Sequence, residues 1–182
     1  KQLTHDVWEF IFATTSPNLL NFEPGQFINI NIPSEEKRIV RSYSISSSPI
    51  MKDRLELCIK LIDGPGSRYF DSLKAGDQIT GNGPFGIFAT KNEYAENMLF
   101  VATGTGVAPI KSMIEYLLER DFKGNMTIFF GLRREEDIFY DELFNNIASA
   151  HANVNYILTL SRPNDAWRGK KGRVTDLIFE KQ

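Results

Sequence analysis

The sequence predicts two units in tandem: short antiparallel strands closing into a small β-barrel, then an α/β unit built on a parallel sheet. Three observations carry this. Over residues 28–32 and 55–61 apolar positions recur at every second residue, the period of strands with one face in a core. From residue 98 onward, short continuous apolar runs alternate with stretches at helical spacing, the order that builds parallel strands with right-handed crossovers. The polar stretch 91–97 separates the two regimes and reads as a linker.

Within the first unit Ile28, Ile30 and Ile32 alternate with Asn29 and Asn31, and Leu55, Leu57, Ile59 and Leu61 alternate with Glu56, Cys58 and Lys60. Both runs read as half-buried strands. Pro24-Gly25 suits a type II turn before the first, proline presetting φ and glycine accepting a positive one. Gly64-Pro65-Gly66 and Gly81-Asn82-Gly83-Pro84 punctuate the later strands. In the second unit, 98–102 is a short apolar run of the kind covered on both faces in a parallel sheet. Ile110, Met113, Ile114, Leu117 and Leu118 follow at helical spacing in a helix closed by Gly124. Strands over 126–130 and 156–160 and helices over 140–147 and from Thr175 complete the pattern.

With 182 residues, 42% hydrophobic, the chain can bury two cores. A net charge of −2 leaves no basic excess for a nucleic-acid partner. No apolar run reaches the roughly 18 residues of a membrane span. Cys58 is the single cysteine, which excludes an intramolecular disulfide and an iron–sulfur cluster held by this chain. A soluble protein of a reducing, cytoplasmic compartment is the expectation. His5 lies near the chain start and His151 in a polar stretch with no Cys, Asp or Glu pattern of a metal site or triad, and both read as surface residues. The chain opens on Lys1 rather than methionine, which leaves room for residues upstream.

Two motifs carry chemistry. Arg41-Ser42-Tyr43-Ser44 lies on a strand, where Arg41 and Tyr43 point one way and Ser42 and Ser44 the other. A flavin needs a cation at its phosphates, a flat surface against its ring and a donor near N5, and Arg41, Tyr43 and Ser44 offer these in turn. Gly64-Pro65-Gly66-Ser67 suits an anion nest, with Gly66 admitting close backbone and Ser67 adding a hydroxyl. Some sixty residues beyond the first motif, Thr103-Gly104-Thr105-Gly106-Val107-Ala108-Pro109 breaks a strand into a helix. Free N–H groups and the positive dipole end there favour a pyrophosphate. Proline stands where the common dinucleotide fingerprint has its third glycine.

These motifs, with Phe22 to Phe27 before the first and Gly83-Pro84-Phe85-Gly86 after it, resemble the ferredoxin–NADP+ reductase family, which includes flavodoxin reductases and oxygenase reductase components. The resemblance spans the chain. It implies a flavin-binding antiparallel barrel over residues 1–92 and a Rossmann-like NAD(P)-binding domain over 97–182, incomplete at its C-terminus. Arg41 would hold phosphate, Ser42 would line the same strand, Tyr43 would pack on the isoalloxazine and Ser44 would bond near N5; Tyr43 and Ser44 are the residues expected at the chemistry. Cys58, Ile59 and Lys60 would lie on the family's second flavin strand, Cys58 by packing. Gly64, Pro65, Gly66 and Ser67 match the family's glycine–serine turn, whose presence favours FAD over FMN. Thr103, Gly104, Thr105 and Gly106 match its nucleotide turn.

Arg133, Ser161, Arg162 and Arg173 stand at strand ends where NADP(H)-preferring members grip a 2′-phosphate. Trp167-Arg168-Gly169 with Gly172 also occurs in NADH-using oxygenase reductases, which keeps NAD(H) as the alternative. The expected function is hydride transfer from NADPH to FAD and then electron transfer to a protein acceptor such as ferredoxin, flavodoxin, or an oxygenase or haem partner. A flavin electron-transfer subunit without nicotinamide activity is the further alternative. Family members run on past the point matching Gln182, into a Cys-Gly segment near the nicotinamide and often a terminal aromatic over the flavin.

Overall fold

A computed structural model describes residues 1–15, 20–89 and 94–179. Residues 91–93 of the stretch 91–97 expected as a linker, and the last three residues of the second unit, lie outside the described residues.

The first unit holds two antiparallel sheets. In one, β1 (Val7–Ala13) pairs with β4 (Arg54–Lys60), Val7 opposite Lys60 and Ala13 opposite Arg54. In the other, β2 (Phe27–Ile32) lies between β3 (Ile39–Ser44) and β5 (Gly81–Phe85). A bridge between Ile45 and Leu57 joins the sheets just past β3. Ile30, Ile32, Ile45, Leu55, Leu57 and Ile59 fill the space between. Pro24-Gly25 forms the expected turn: Gln26 N–H donates to the Glu23 carbonyl at 3.1 Å and Gly25 has φ +99°. Only a glycine suits this turn, because a Cβ there would lie 2.0 Å from the Phe88 carbonyl oxygen.

Gly64-Pro65-Gly66-Ser67, expected as a turn, instead opens helix α1 (Pro65–Ser72). Proline at the first helical position is no breaker there, since its missing N–H has no partner in any case. The helix seats Phe70, 1% exposed, with its ring 4.9 Å from those of Phe10 and Tyr43. Burial of that one aromatic is what draws the segment onto the barrel.

The second unit is a parallel sheet in the order β6 (Asn97–Thr103), β7 (Asn125–Leu132), β8 (Val154–Leu160), β9 (Lys170–Lys171). Helix α2 (Val107–Glu119) crosses from β6 to β7, α3 (Asp141–Ala150) from β7 to β8, and α4 (Val174–Phe179) follows β9. Helix α2 stops at Glu119, short of the expected Gly124. The apolar side chains of α2 and α3 pack on β6 and β7, with Ile114, Leu117, Met126, Ile128, Phe130 and Phe144 all fully buried. Strand β6 departs from expectation. It runs along one side of the sheet, and Leu99 and Val101 remain 53% and 39% exposed, so one of its faces is open rather than covered.

Strand β4 departs in the other direction. It is buried on both faces, not one, since Glu56 and Cys58 are 5% and 6% exposed. Their face looks into the α/β unit, and Cys58 and Val7 belong to its core. Here the units are joined by polar groups, most of them buried or half-buried. Lys111 of α2 puts its ammonium 3.1 Å from Glu56 Oε2 and 2.9 Å from Glu115 Oε1, and donates to the Ser46 carbonyl at 3.2 Å. Ser112 Oγ donates to the Ser47 carbonyl at 2.6 Å, Ser48 Oγ donates to Glu119, and the Tyr140 hydroxyl donates to Glu9 at 2.7 Å. Burial disfavours the charged form of Lys111, yet Glu115 and Glu56 hold its ionisation above the ordinary range. For Glu115, burial outweighs Lys111 and pushes the carboxyl up.

Candidate functional site

Two groups of residues stand out, one on each unit. On the first unit, β3 carries Arg41, Ser42, Tyr43 and Ser44 opposite Ile30, Asn29, Ile28 and Phe27. Arg41 and Ser42 are exposed, Tyr43 and Ser44 half-buried. Ser42 Oγ donates to Asn29 Oδ1 at 2.6 Å, which fixes the strand's other face. Tyr43 stands with its ring edge-on to Phe70 at 74°. Burial raises its phenol, against the pull of Arg41, so the hydroxyl stays protonated as a donor.

The start of α1 comes against the same two side chains. A Cβ on Gly66 would lie 2.6 Å from Tyr43 Oη and 3.2 Å from Arg41 Cγ, so only glycine lets the helix start sit there. Ser67 Oγ accepts the Ile62 N–H at 3.0 Å and keeps its own proton to donate. Arg41, Tyr43, Gly66 and Ser67, distant in sequence, are thus one cluster: an arginine fork, an aromatic, and a helix start without a side-chain cap. Those are the parts a flavin nucleotide requires.

The structure treats the 58–60 segment residue by residue. Cys58 is buried towards α2, and Ile59 is 3% exposed in the barrel core, so neither side chain reaches a ligand-sized space. Burial pushes the Cys58 thiol up to about 12. Lys60 reaches outward and pairs with Asp6 at 2.7 Å.

The second group lines a cleft of about 890 Å³. Thr103, Gly104 and Thr105 form its floor where β6 ends. Gly104 has φ +52°, and nothing lies within 4 Å of the Cβ position at Gly104 or Gly106, so the chain turns sharply and leaves open space above its backbone. The short 3-10 turn Gly104–Gly106 leads directly into α2, whose first N–H groups have no side-chain cap. Such a helix start attracts phosphate. Arg133 and Arg134 after β7, Ser161 and Arg162 after β8, and Arg173 before α4 stand around the rim. The Arg162 N–H donates to the Arg133 carbonyl at 2.8 Å, tying two of these loops together, and Arg173 N–H donates to Asp176 at 3.2 Å.

Five charged or titratable cleft residues were not among the expected ligand-binding groups. Arg134, Glu136 and Asp137 come from the 3-10 turn Glu135–Asp137, where Asp137 accepts the Arg134 N–H at 3.0 Å and Arg134 pairs with Glu136 at 3.3 Å. His5 and Asp6 come from the chain start, because pairing Val7 with Lys60 carries them to the cleft wall. His5, expected as an ordinary surface residue, therefore lines the cleft. Burial alone would raise the Asp6 carboxyl; the Lys60 hydrogen bond and charge, aided by His5 and Thr4, hold it below the usual range. His5 and Asp6 also line a smaller hollow of about 330 Å³ that reaches Ser67 and Arg68 at the start of α1. The two recesses share a wall. No helix among the described residues is long and apolar enough to cross a membrane.

The Oxidoreductase FAD-binding domain family matches residues 1–90, and the Oxidoreductase NAD-binding domain family matches residues 100–182. Ferredoxin–NADP reductase B of Sorangium cellulosum is 34% identical over 175 residues, covering 96% of this chain and 72% of that protein. The reductase component of phenol 2-monooxygenase from Pseudomonas sp. strain CF600 is also 34% identical, over 85% of this chain and 44% of that protein. Among solved structures, the Amycolatopsis cytochrome P450 reductase superposes with a TM-score of 0.87 at 26% identity, covering all of this chain and 55% of that one. The chain belongs to the ferredoxin–NADP+ reductase family of flavoprotein oxidoreductases, with an FAD-binding and a nicotinamide-nucleotide-binding part in that order. It spans about half the length of most of the curated relatives it matches.

Proposed function

We propose that this chain is the reductase unit of an electron-transfer system, taking electrons from NADPH through FAD to a separate protein acceptor. The observation that carries this is the presence of both sites in one chain: the cluster of Arg41, Tyr43 and Gly66 on the first unit, and the cleft above Gly104 rimmed by Arg133, Arg162 and Arg173 on the second. A flavin on the first unit would meet a nucleotide on the second between the two. Bound in these places, the nicotinamide supplies a hydride, one proton with two electrons, to the flavin, which hands electrons on one at a time.

The protein's part is to bind and orient. Arg41 and the Gly66–Ser67 backbone hold the FAD phosphates, Tyr43 packs against the flat ring and Ser44 offers its hydroxyl at the reacting edge. Ser42 supports the strand through Asn29. Cys58 and Ile59 serve from behind as packing, through a backbone that the cores hold still. Thr103, Gly104, Thr105 and Gly106 bring uncapped N–H groups to the pyrophosphate. Arg133, Ser161, Arg162 and Arg173 surround the adenosine end, a concentration of positive charge suited to a 2′-phosphate. Residues 1–92 are the FAD-binding domain and 97–182 the nucleotide domain in this reading. The acceptor is a ferredoxin, a flavodoxin, or an oxygenase or haem component.

One observation favours a second reading. Glu136 and Asp137 face the same cleft as the arginines, and carboxylates there suit the free ribose hydroxyls of NADH. The phenol 2-monooxygenase reductase component among the relatives fits that alternative. Steady-state turnover of the holoprotein with ferricyanide as acceptor separates the two. With R162A and R173A combined, KM for NADPH should rise roughly 10–100-fold, the loss of one to two charged hydrogen bonds, while KM for NADH stays within a few-fold. Equal losses for both nucleotides contradict the 2′-phosphate role, and faster wild-type turnover with NADH selects the second reading.

A further inference from the structure

Lys111 is a cation sealed between the two units, and none of the ligand contacts proposed above uses it. It is 5% exposed and has three acceptors on two units: the Ser46 carbonyl and Glu56 on the barrel side, Glu115 on its own helix. Glu56 is held in turn by Arg54 Nε at 3.0 Å, and its backbone ties to the same loop, Ser46 N–H donating to the Glu56 carbonyl at 2.8 Å. Ser46 Oγ is buried without a hydrogen-bond partner, while the next two residues are held through hydroxyls, Ser112 Oγ donating to the Ser47 carbonyl and Ser48 Oγ to Glu119. A charge buried this deeply costs stability unless fully paired, and apolar replacements of such pairs are often neutral or better. Stability alone is therefore a poor reason for it.

Its place in the chain suggests another. Ser46 lies two residues past Ser44, where the proposed flavin strand ends, and Lys111 lies five residues past Gly106, where the proposed nucleotide turn ends. We infer that Lys111 is a positioning residue: it pins the start of α2 to the end of β3 and so fixes the nucleotide turn relative to the flavin strand. The leverage is large. Five residues of helix span about 7.5 Å, so tilting α2 by about 10° around Lys111 moves Gly106 by more than ~1 Å. A misplacement of that size costs on the order of 100-fold in a reaction that depends on near-contact geometry. Ionic contacts are suited to the task, because an ammonium between two carboxylates and a carbonyl admits few alternative arrangements.

The inference rests on the hydride-transfer reading, and its test has one arm that does not. In K111M, with the length kept and the charge removed, the apoprotein should exchange the Ser46 amide and the α2 amides of residues 111–114 at least tenfold faster by hydrogen–deuterium exchange. In K111M holoprotein, FAD content and nucleotide Kd should stay within about threefold. The nicotinamide–flavin charge-transfer absorbance should fade, and anaerobic flavin reduction should slow by roughly 30-fold or more, with K111R recovering most of both. Unchanged exchange, or an unchanged reduction rate in folded K111M, overturns the inference. If K111M does not fold, K111M with E56Q and E115Q, which leaves neither carboxylate charged and unpaired, is judged by the same readouts; failure of that variant to fold shows a role in the fold as a whole and also overturns it. Wild-type protein that no nucleotide reduces refutes the hydride reading instead, while the apoprotein exchange still decides whether Lys111 pins α2.

Discussion

Arg41 and Cys58 show how differently two neighbouring strands use a reactive side chain. Arg41 is exposed beside Tyr43 and the start of α1, free to meet an anion. Loss of one charge-assisted contact is worth about 1.5–3 kcal/mol, so R41A should weaken FAD binding roughly 10–100-fold in a flavin-fluorescence titration, with the unfolding midpoint unmoved. An unmoved FAD affinity would remove Arg41 from the site. Cys58 is sealed against Tyr140, Glu9 and Lys111, its ionisation pushed from 9.0 to about 12. The fold therefore favours the neutral thiol. The sign follows: below pH 9 both folded and unfolded thiols are protonated and the contribution is complete, and between about 9 and 12 only the unfolded chain ionises, so stability drains away as pH rises. Urea unfolding of wild type and C58A should converge as pH climbs above 9, and a thiol reagent should label Cys58 only in denaturant. Rapid labelling of the native protein would contradict this burial.

At the scale of elements, α1 is where local sequence misleads. Gly64-Pro65-Gly66 has every mark of a loop, and what makes it a helix start is a set of contacts 27 to 60 residues away in the chain: Phe70 needs the pocket made by Phe10, Phe12 and Tyr43. F70A should cost about 3–5 kcal/mol in denaturant unfolding. G66A is the more selective probe. Its methyl would strike Tyr43 Oη, so flavin should be lost from a protein that remains folded; retention of FAD at wild-type affinity would show that Tyr43 can move aside freely. Strand β2 and the strand–glycine–helix break at Gly104 were legible because their periods and turn residues are local. Strand β4 was not. Its alternation is real, but its polar positions Glu56 and Cys58 face a second unit rather than water, and no period of two can report that. The open face of β6 is invisible for the same reason, because Leu99 and Val101 read as core by composition alone.

Over the whole molecule, the order of units and the motifs of each could be read from the chain, but the way the units face each other could not. That depends on antiparallel register, which carries His5 and Asp6 to Lys60, and on polar contacts between residues as far apart as Glu9 and Tyr140. The result is a cluster with the parts for a flavin on one unit and a cleft with the parts for a dinucleotide on the other, with His5 and Asp6 on the cleft wall. The central claim is that electrons pass between them. An anaerobic visible spectrum of the FAD-loaded holoprotein, recorded before and after NADPH and then NADH, tests it most directly. The account predicts that the oxidised flavin bands bleach within seconds, faster with NADPH than with NADH. Flavin that stays oxidised with both nucleotides would contradict it.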